Sequence, residues 1–303
     1  MALAADIRLR RPTGSGEDAV LVLMLLTACQ IADTGRSDRE LVDVEEQWAQ
    51  PGADLERDAW VALDPGDDAI GYAFVHDGRA EARVHPRARG RGLGTRLRDL
   101  AEARALELRM PELLQVVAGG NRPAERLLED GGYTPVHHAW RMERPLDVAP
   151  APPRWPSGVT MHALDGDGDA ADVLALLERS GATLADGRPL ALDRFHAEHL
   201  AVELLDPELC VLARRGERLV GVAICETWDE SDGSIVQLSV DRDERDRGIG
   251  HALLLAALAR LRERGLDTAV LHVGADEPTP PSVYADVGMR PVWRQTSWRK
   301  RLR

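Results

Sequence analysis

Cysteine, aromatic residues and positive charge are all scarce in this chain of 303 residues. The three cysteines, Cys29, Cys210 and Cys225, lie far apart and form no CxxC pair. That spacing excludes a disulfide framework and a cysteine zinc site, and a reducing, cytoplasmic setting is expected. Lys and Arg number 38 against 51 Asp and Glu, a formal net charge of −13. Proteins that track nucleic-acid phosphates need a basic surplus, so no nucleic-acid partner is expected. No apolar run reaches the roughly 18 residues that cross a bilayer, so no membrane partner is expected either.

An apolar run over 19–29 follows Arg8, Arg10 and Arg11 and ends in Cys29, an order similar to a secretory leader with a lipidation cysteine. Glu17 and Asp18 stand directly before it, where a leader carries positive charge, so a buried first helix is expected. His196 and His199 share a helix face with Glu203 one turn on. That spacing suits a metal, but a solvated helix face accounts for it, and no metal is expected.

What is present is an ordinary globular balance, 44% hydrophobic and 29% charged residues. The length favours two domains. An internal repeat divides them: Arg89-Gly90-Arg91-Gly92-Leu93-Gly94 returns as Arg245-Asp246-Arg247-Gly248-Ile249-Gly250. The same offset carries Val84 to Val240, Val117 to Val273, Gly132 to Gly288 and Pro135 to Pro291, so the chain is a duplication. Residues 145–158 are dense in proline without apolar periodicity and read as a stiff linker. The expected layout is an N-terminal domain over 1–144, the linker, and a C-terminal domain over 159–303.

Both halves read in one order. First strands are expected at 6–11 and 159–164, helices at 17–31 and 169–180, and second helices near 38–49 and 190–205. A hairpin turns at Asp77-Gly78, a dipeptide that favours tight turns. In the second half, strands at 209–213, 218–228 and 235–240 lead to a helix over 250–264. A strand at 268–273, a short helix and a last strand from Pro291 complete it. Period-2 alternation places Val236, Leu238 and Val240 on one face of the third strand and Ile235, Gln237 and Ser239 on the other. The expected class is α/β (α+β), a mixed, mostly antiparallel sheet flanked by helices in each half.

A strand, then R-x-x-G-x-G, then a helix is a device for holding a pyrophosphate. Glycines let the backbone pass close to the ligand, and free amides at the helix start point at the phosphates. The spacing differs from the dinucleotide fingerprint and from the P-loop. The stretches 84–97 and 240–254 resemble the acetyl-CoA-binding motif of the GNAT family of N-acetyltransferases. In that family a further strand and N-x-x-A-x-x-L-Y-x-x-x-G-F follow. The first copy offers Asn121, Ala124, Leu127, Leu128, Gly132 and Tyr133; the second offers Glu277, Pro280, Val283, Tyr284, Gly288 and Met289. Two such domains in tandem are similar in layout to mycothiol synthase and to two-domain antibiotic-modifying acetyltransferases.

The resemblance implies acetyl-CoA as co-substrate. Its binding residues are Leu238, Ser239, Val240, Arg245, Asp246, Arg247, Gly248, Ile249, Gly250 and His251 in the second copy. In the first they are Ala82, Arg83, Val84, Arg89, Gly90, Arg91, Gly92, Leu93, Gly94, Thr95 and Asn121. The family's tyrosine, which protonates the departing thiolate, corresponds to Tyr284, whereas the first copy has Leu128 there. The family's frequent carboxylate base corresponds to Glu81 in the first copy and to Gln237 in the second, which cannot act as a base. Glu277 replaces the family's asparagine beside Pro278, Pro280 and Pro281, so a shortened last helix is expected in the second copy.

The second copy is therefore expected to carry the chemistry, with Tyr284 as acid and Glu226 or His272 as base. The first copy either binds acetyl-CoA without turnover or only scaffolds. Glu226-Thr227-Trp228-Asp229-Glu230-Ser231-Asp232-Gly233, with Asp186, Asp193, Glu198, Glu203 and Asp206, reads as an acidic rim for a cationic substrate, or as a plain solvated surface. Two functions stay open: acetyl transfer to the amine of a small cationic metabolite or antibiotic, by a monomer or homodimer, and non-catalytic acyl-CoA binding or scaffolding.

Overall fold

The computed structural model describes residues 6–37, 39–182, 190–200, 206–227, 231–275 and 282–302. The first half contains β1 (Arg8–Arg10), α1 (Gly16–Thr34), α2 (Leu41–Trp48), α3 (Leu55–Asp58), β2 (Ala59–Leu63), β3 (Ala69–His76) and β4 (Arg79–Val84). It continues with α4 (Leu93–Glu107), β5 (Glu112–Ala118), α5 (Arg122–Asp130) and β6 (Thr134–Pro145). The second half contains β7 (Val159–Ala163), α6 (Gly166–Ser180), α7 (Leu192–Phe195), β8 (Val211–Arg215), β9 (Arg218–Thr227) and β10 (Asp232–Val240). It ends with α8 (Ile249–Glu263), β11 (Thr268–Ala275), α9 (Ser282–Asp286) and β12 (Arg290–Arg301). The expected order of elements is present in both halves. The second helix of the second half is α7 with a π-helical turn, His196–Leu200.

Local chemistry explains the main boundaries. The Ser15 side chain accepts the Asp18 amide and starts α1, and Gly35, in the left-handed region, ends it. The apolar run is the buried face of that helix: Ala19, Val22, Leu25, Leu26 and Cys29 are all buried. Asp77 and Gly78 both have positive φ, 44° and 72°, the geometry of a type I′ hairpin turn. Among the described residues no helix is long and apolar enough to cross a membrane.

Compactness divides the chain into two units that do not coincide with the repeat. One unit is Met1–His137 with Gln295–Arg303; the other is His138–Arg294. In the first, strands run β1-β2-β3-β4-β5 and end with Gln295–Arg301 of β12, antiparallel to β5. In the second they run β7-β8-β9-β10-β11 and end with His138–Pro145 of β6, antiparallel to β11. Each unit thus takes its last strand from the other half of the sequence. The proline-rich segment is anchored at its start, since Pro145 belongs to β6 and Leu146 is buried with its amide bonded to Asp267 O.

Each sheet is covered on both faces, which gives each unit two cores. In the first unit, Val22, Leu25 and Leu26 of α1 pack on Val61, Tyr72 and Phe74, while Leu93, Leu97 and Ala101 of α4 pack on Ala62, Ala73 and Val75. The second unit repeats this with Val173, Leu176 and Leu177 of α6 against Leu212, Val222 and Ile224. On its other face, Leu253, Ala257 and Leu261 of α8 pack on Val211, Ala223 and Cys225. Alternation of side chains across the strands sends successive residues to opposite cores.

Two departures from regularity shape the sites. The parallel ladder of β10 with β11 covers only Asp232–Ile235 and Thr268–Leu271, after which the strands part. In the first unit the β4–β5 ladder covers only Arg79 and Ala80 with Leu114 and Gln115. Beyond these ladders each unit has a cleft between two parallel strands. The second departure corrects the expected alternation of β10. A bulge between Ile235 and Gln237 puts Ile235 in the α8-side core with Leu238 and Val240, and Val236 against the α6-side core. The extra residue of a bulge resets the facing of everything before it.

Candidate active site

The glycine turn of the second unit is built from an unusual backbone. Asp246 has φ 60° and Gly248 φ 82°, both left-handed, and Gly248 caps α8. Aspartate tolerates that region better than most side chains, so Asp246 can stand where the first copy has Gly90, φ 76°. A Cβ on Gly248 meets nothing within 4 Å, whereas one on Gly250 meets Val240 at 3.5 Å. Gly248 thus lies in open space under backbone constraint, and Gly250 lets α8 approach β10. The first intrahelical bond runs from Ala252 N–H to Gly248 O, so the amides of Ile249, Gly250 and His251 point out of the helix start. The Ile249 side chain is buried, leaving its backbone as the only part that faces a ligand. These amides, with the helix dipole behind them, fit a pyrophosphate.

The arginines of the turn are mostly occupied. Arg245 Nη2 donates to Ser180 O at 2.7 Å, and Arg247 Nη1 bonds Glu244 at 3.0 Å. In the first copy Arg89 bonds Asp33 on α1 at 2.7 Å. Both first arginines brace the turn against the C-terminal end of the first helix. Around the first turn, Arg91 and Thr95 are exposed, Leu93 is fully buried, and Gly92 (φ 83°) caps α4. Gly94 packs close to Leu127, and Asn121 caps α5 by accepting the Ala124 amide while its Nδ2 donates to Asp33.

On the α6 side of the second cleft, Glu226 at the end of β9 meets His199 of the π-helical turn, Oε1 to Nδ1 at 2.7 Å. The His199 ring also tilts against Phe195 at 4.8 Å. Both side chains keep some exposure, 28% and 20%, and Nε2 of His199 has no hydrogen-bond partner among the described residues. His199 was expected on a helix face; its role as partner of Glu226 is not visible in the sequence. On the same face Gln237 donates to Ser239 Oγ at 2.7 Å. His272, on β11, tilts against Trp293 at 5.7 Å.

Tyr284 lies on the opposite side, packed with Leu238 and Val240 against the α8-side core. Burial pushes its phenol up to about 12. Its hydroxyl makes no hydrogen bond among the described residues, although the ring is well packed. α9, Ser282–Asp286, is short, and Glu277, Pro278, Pro280 and Pro281 lie outside the described residues.

The carboxylate at the base position of the first copy is locked. Glu81 Oε1 bonds Arg39 at 2.8 Å and Arg83 at 3.3 Å, and Oε2 accepts from Gln47 at 2.9 Å. Against the opposing cost of burial, the charges of Arg39 and Arg83 hold its carboxyl down to about 2. A carboxylate so held does not accept a proton at neutral pH.

Two carboxylates of the expected acidic rim, Asp232 and Asp206, face arginines, while Asp193 is exposed. Asp232 is not a loop residue: it opens β10, is 5% exposed, and faces the buried Arg141. Asp206 pairs with Arg264 at 3.1 Å. Trp228, Asp229, Glu230, Asp186 and Glu203 lie outside the described residues. Among the described residues, no cluster of three or more His, Cys, Asp or Glu could hold a metal ion.

Known proteins show the same architecture. Residues 25–133 and 178–288 each match the acetyltransferase (GNAT) family. The mycothiol acetyltransferase of Thermobispora bispora is 31% identical over 288 residues, 92% of this chain and 94% of that protein. That of Streptomyces scabiei is 32% identical over 286 residues, 91% and 89%. The solved GCN5-related N-acetyltransferase of Sphaerobacter thermophilus matches with a TM-score of 0.85 at 29% identity, over 100% of this chain and 98% of that one. A tandem GNAT protein of the clavulanic acid biosynthesis pathway, at 18% identity and a TM-score of 0.69 over 97% and 98%, shares the fold.

Proposed function

Because this chain belongs to the GNAT acetyltransferase family, we propose that its second half transfers an acetyl group from acetyl-CoA to the primary amine of a small metabolite. The observation that carries the reading is the contrast between the two carboxylates. Glu81 is spent on two arginines and a glutamine, whereas Glu226 orients a histidine whose second nitrogen stays available.

Acetyl-CoA, when bound, supplies the acetyl group as a thioester. The outward amides of Ile249, Gly250 and His251 would hold its pyrophosphate, and the free edge of β10 at Leu238–Val240 its arm. An amine is cationic in water and must lose a proton to attack. With Glu226 ionised, Nδ1–H of His199 donates to it and Nε2 accepts the proton of the amine. The new N–C bond forms as the C–S bond breaks, the nitrogen sheds its second proton to solvent, and negative charge gathers on sulfur. Tyr284, protonated across the neutral range, donates its hydroxyl hydrogen bond there from the opposite face. The base role is given to the His199–Glu226 pair, whose carboxylate holds the imidazole at 2.7 Å. The negative charge of the chain favours a cationic acceptor over an anionic one.

A thiol-release assay with acetyl-CoA tests the proposal against a panel of small amines, including aminoglycosides and the unacetylated form of mycothiol, the thiol for which the curated relatives are named. Thiol release with at least one amine, lost in His199→Gln, supports it. Acetyl-CoA binding without release across the panel would instead favour a non-catalytic acyl-CoA-binding protein.

A further inference from the structure

The two clefts are copies of one arrangement, and one of the positions at which they differ places a guanidinium across the gap: Arg83 on β4 stands where β10 has Ser239. In the first unit, Leu114 N–H donates to Gly78 O at 2.8 Å, which fixes the backbone direction of both strands. Alternate residues beyond that point, Ala82 and Val84 on β4 and Val116 on β5, turn their carbonyls into the cleft. The Arg83 guanidinium closes over it. Its Nη1 donates to Ala82 O and to Val116 O, both at 3.2 Å, and so ties the parted strands together. Val84 O is also taken, by Arg89 Nε at 3.2 Å and Cys29 Sγ at 3.3 Å. Glu81 holds Arg83 in place from the α1 side. In the second unit the Ser239 hydroxyl accepts from Gln237 within its own strand. Among the described residues no side chain bonds the carbonyl of Leu238 or Val240.

Parted strands present rows of unpaired backbone groups, and an extended, amide-bearing arm pairs with them much as an added strand does. In the first unit those carbonyls are satisfied internally, and displacing Arg83 would leave two of them and Glu81 short of a donor. We propose that Arg83 closes the first cleft to the acyl-bearing arm of acyl-CoA, so that the chain seats one acyl-CoA, in its second half. The inference rests on the reading of the second half as the acetyl-CoA site.

Calorimetric titration of the full chain with acetyl-CoA tests it. One equivalent is expected on the wild type, none on Gly248→Val, and two on Arg83→Ser, which installs the residue of the second copy. Two equivalents on the wild type, or one persisting on Gly248→Val, overturns the closure whether or not Arg83→Ser folds. An Arg83→Ser chain with wild-type circular dichroism that still binds one equivalent overturns it as well. A wild type that binds none overturns the acetyltransferase reading itself, a separate result.

Discussion

His199 and Glu226 meet at 2.7 Å although they belong to different elements, a π-helical turn and the end of a strand. Extra residues of this kind within helices recur at functional sites because they redirect a side chain that regular winding would place elsewhere. If His199 is the base, His199→Gln lowers turnover by roughly a hundredfold or more, within the range of general-base contributions. Glu226→Gln costs less, because the imidazole remains and only its orientation is loosened. Acetyl-CoA affinity stays near the wild-type value in both. Steady-state kinetics with one shared amine, beside calorimetry, checks this; a fully active His199→Gln enzyme moves the base elsewhere, His272 first.

Glu81 is expected to matter for stability rather than for turnover. Its folded carboxyl sits at about 2, below its ordinary value of 4.5. A lowered carboxylate stabilises the folded state above its unfolded pKa, and that contribution is lost as pH falls through the folded value. The window here runs from about pH 4.5 down to about 2, and a shift of that size corresponds to about 3 kcal/mol. Glu81→Gln should therefore unfold at lower urea concentration at pH 7 while turning over normally. The gap to the wild type should shrink below pH 4.5. Loss of turnover in a folded Glu81→Gln chain would return the chemistry to the first half.

Much of this arrangement is legible in the sequence because it is written in short-range patterns. Asp77-Gly78 has one good use, a tight hairpin turn, and the two glycine turns repeat in register with the helices that follow them. What escapes depends on distant partners. Alternation from Ile235 to Val240 looks regular in either facing, so nothing local signals the bulge that moves Ile235 and Val236 to opposite cores. The Glu226–His199 pair depends on how the π-helical turn lies against β9. Asp232 looks like a loop carboxylate until Arg141, from the other half of the sequence, is seen beside it. Likewise β6 and β12 stand at the same place in the repeat, and each completes the sheet of the other half.

That exchange of last strands has a direct consequence. His138–Pro145 completes the second sheet, and Gln295–Arg301 completes the first. A chain cut in the exposed stretch after Ala151 keeps every strand, but each fragment holds a strand of the other's unit. The cut protein should elute as one species in size-exclusion chromatography and separate only in denaturant. Either half expressed alone lacks the edge that covers β5 or β11, and such an open edge favours aggregation. Two fragments that part under native conditions, each soluble and folded, would contradict the exchange.

Tyr284 offers the sharpest test of the chemistry. Its phenol is pushed up to about 12, while an ordinary thiol titrates near 8.5. Complete proton transfer from this tyrosine to a thiolate would run uphill by roughly three units, about 4 to 5 kcal/mol. In the proposed reaction its contribution is then a hydrogen bond that strengthens as charge gathers on sulfur, with the sulfur's final proton supplied by solvent. An interaction made mainly as the bond breaks lowers kcat when removed and leaves ground-state binding alone. Tyr284→Phe keeps the ring that packs against the α8-side core and deletes only the hydroxyl, so acetyl-CoA affinity and thermal stability should barely move. Turnover should fall by roughly a hundredfold. Measuring kcat, acetyl-CoA affinity and the unfolding temperature on the same preparation separates the outcomes. A large drop in affinity would make Tyr284 a packing residue of the binding site, and an undiminished kcat would remove it from the reaction.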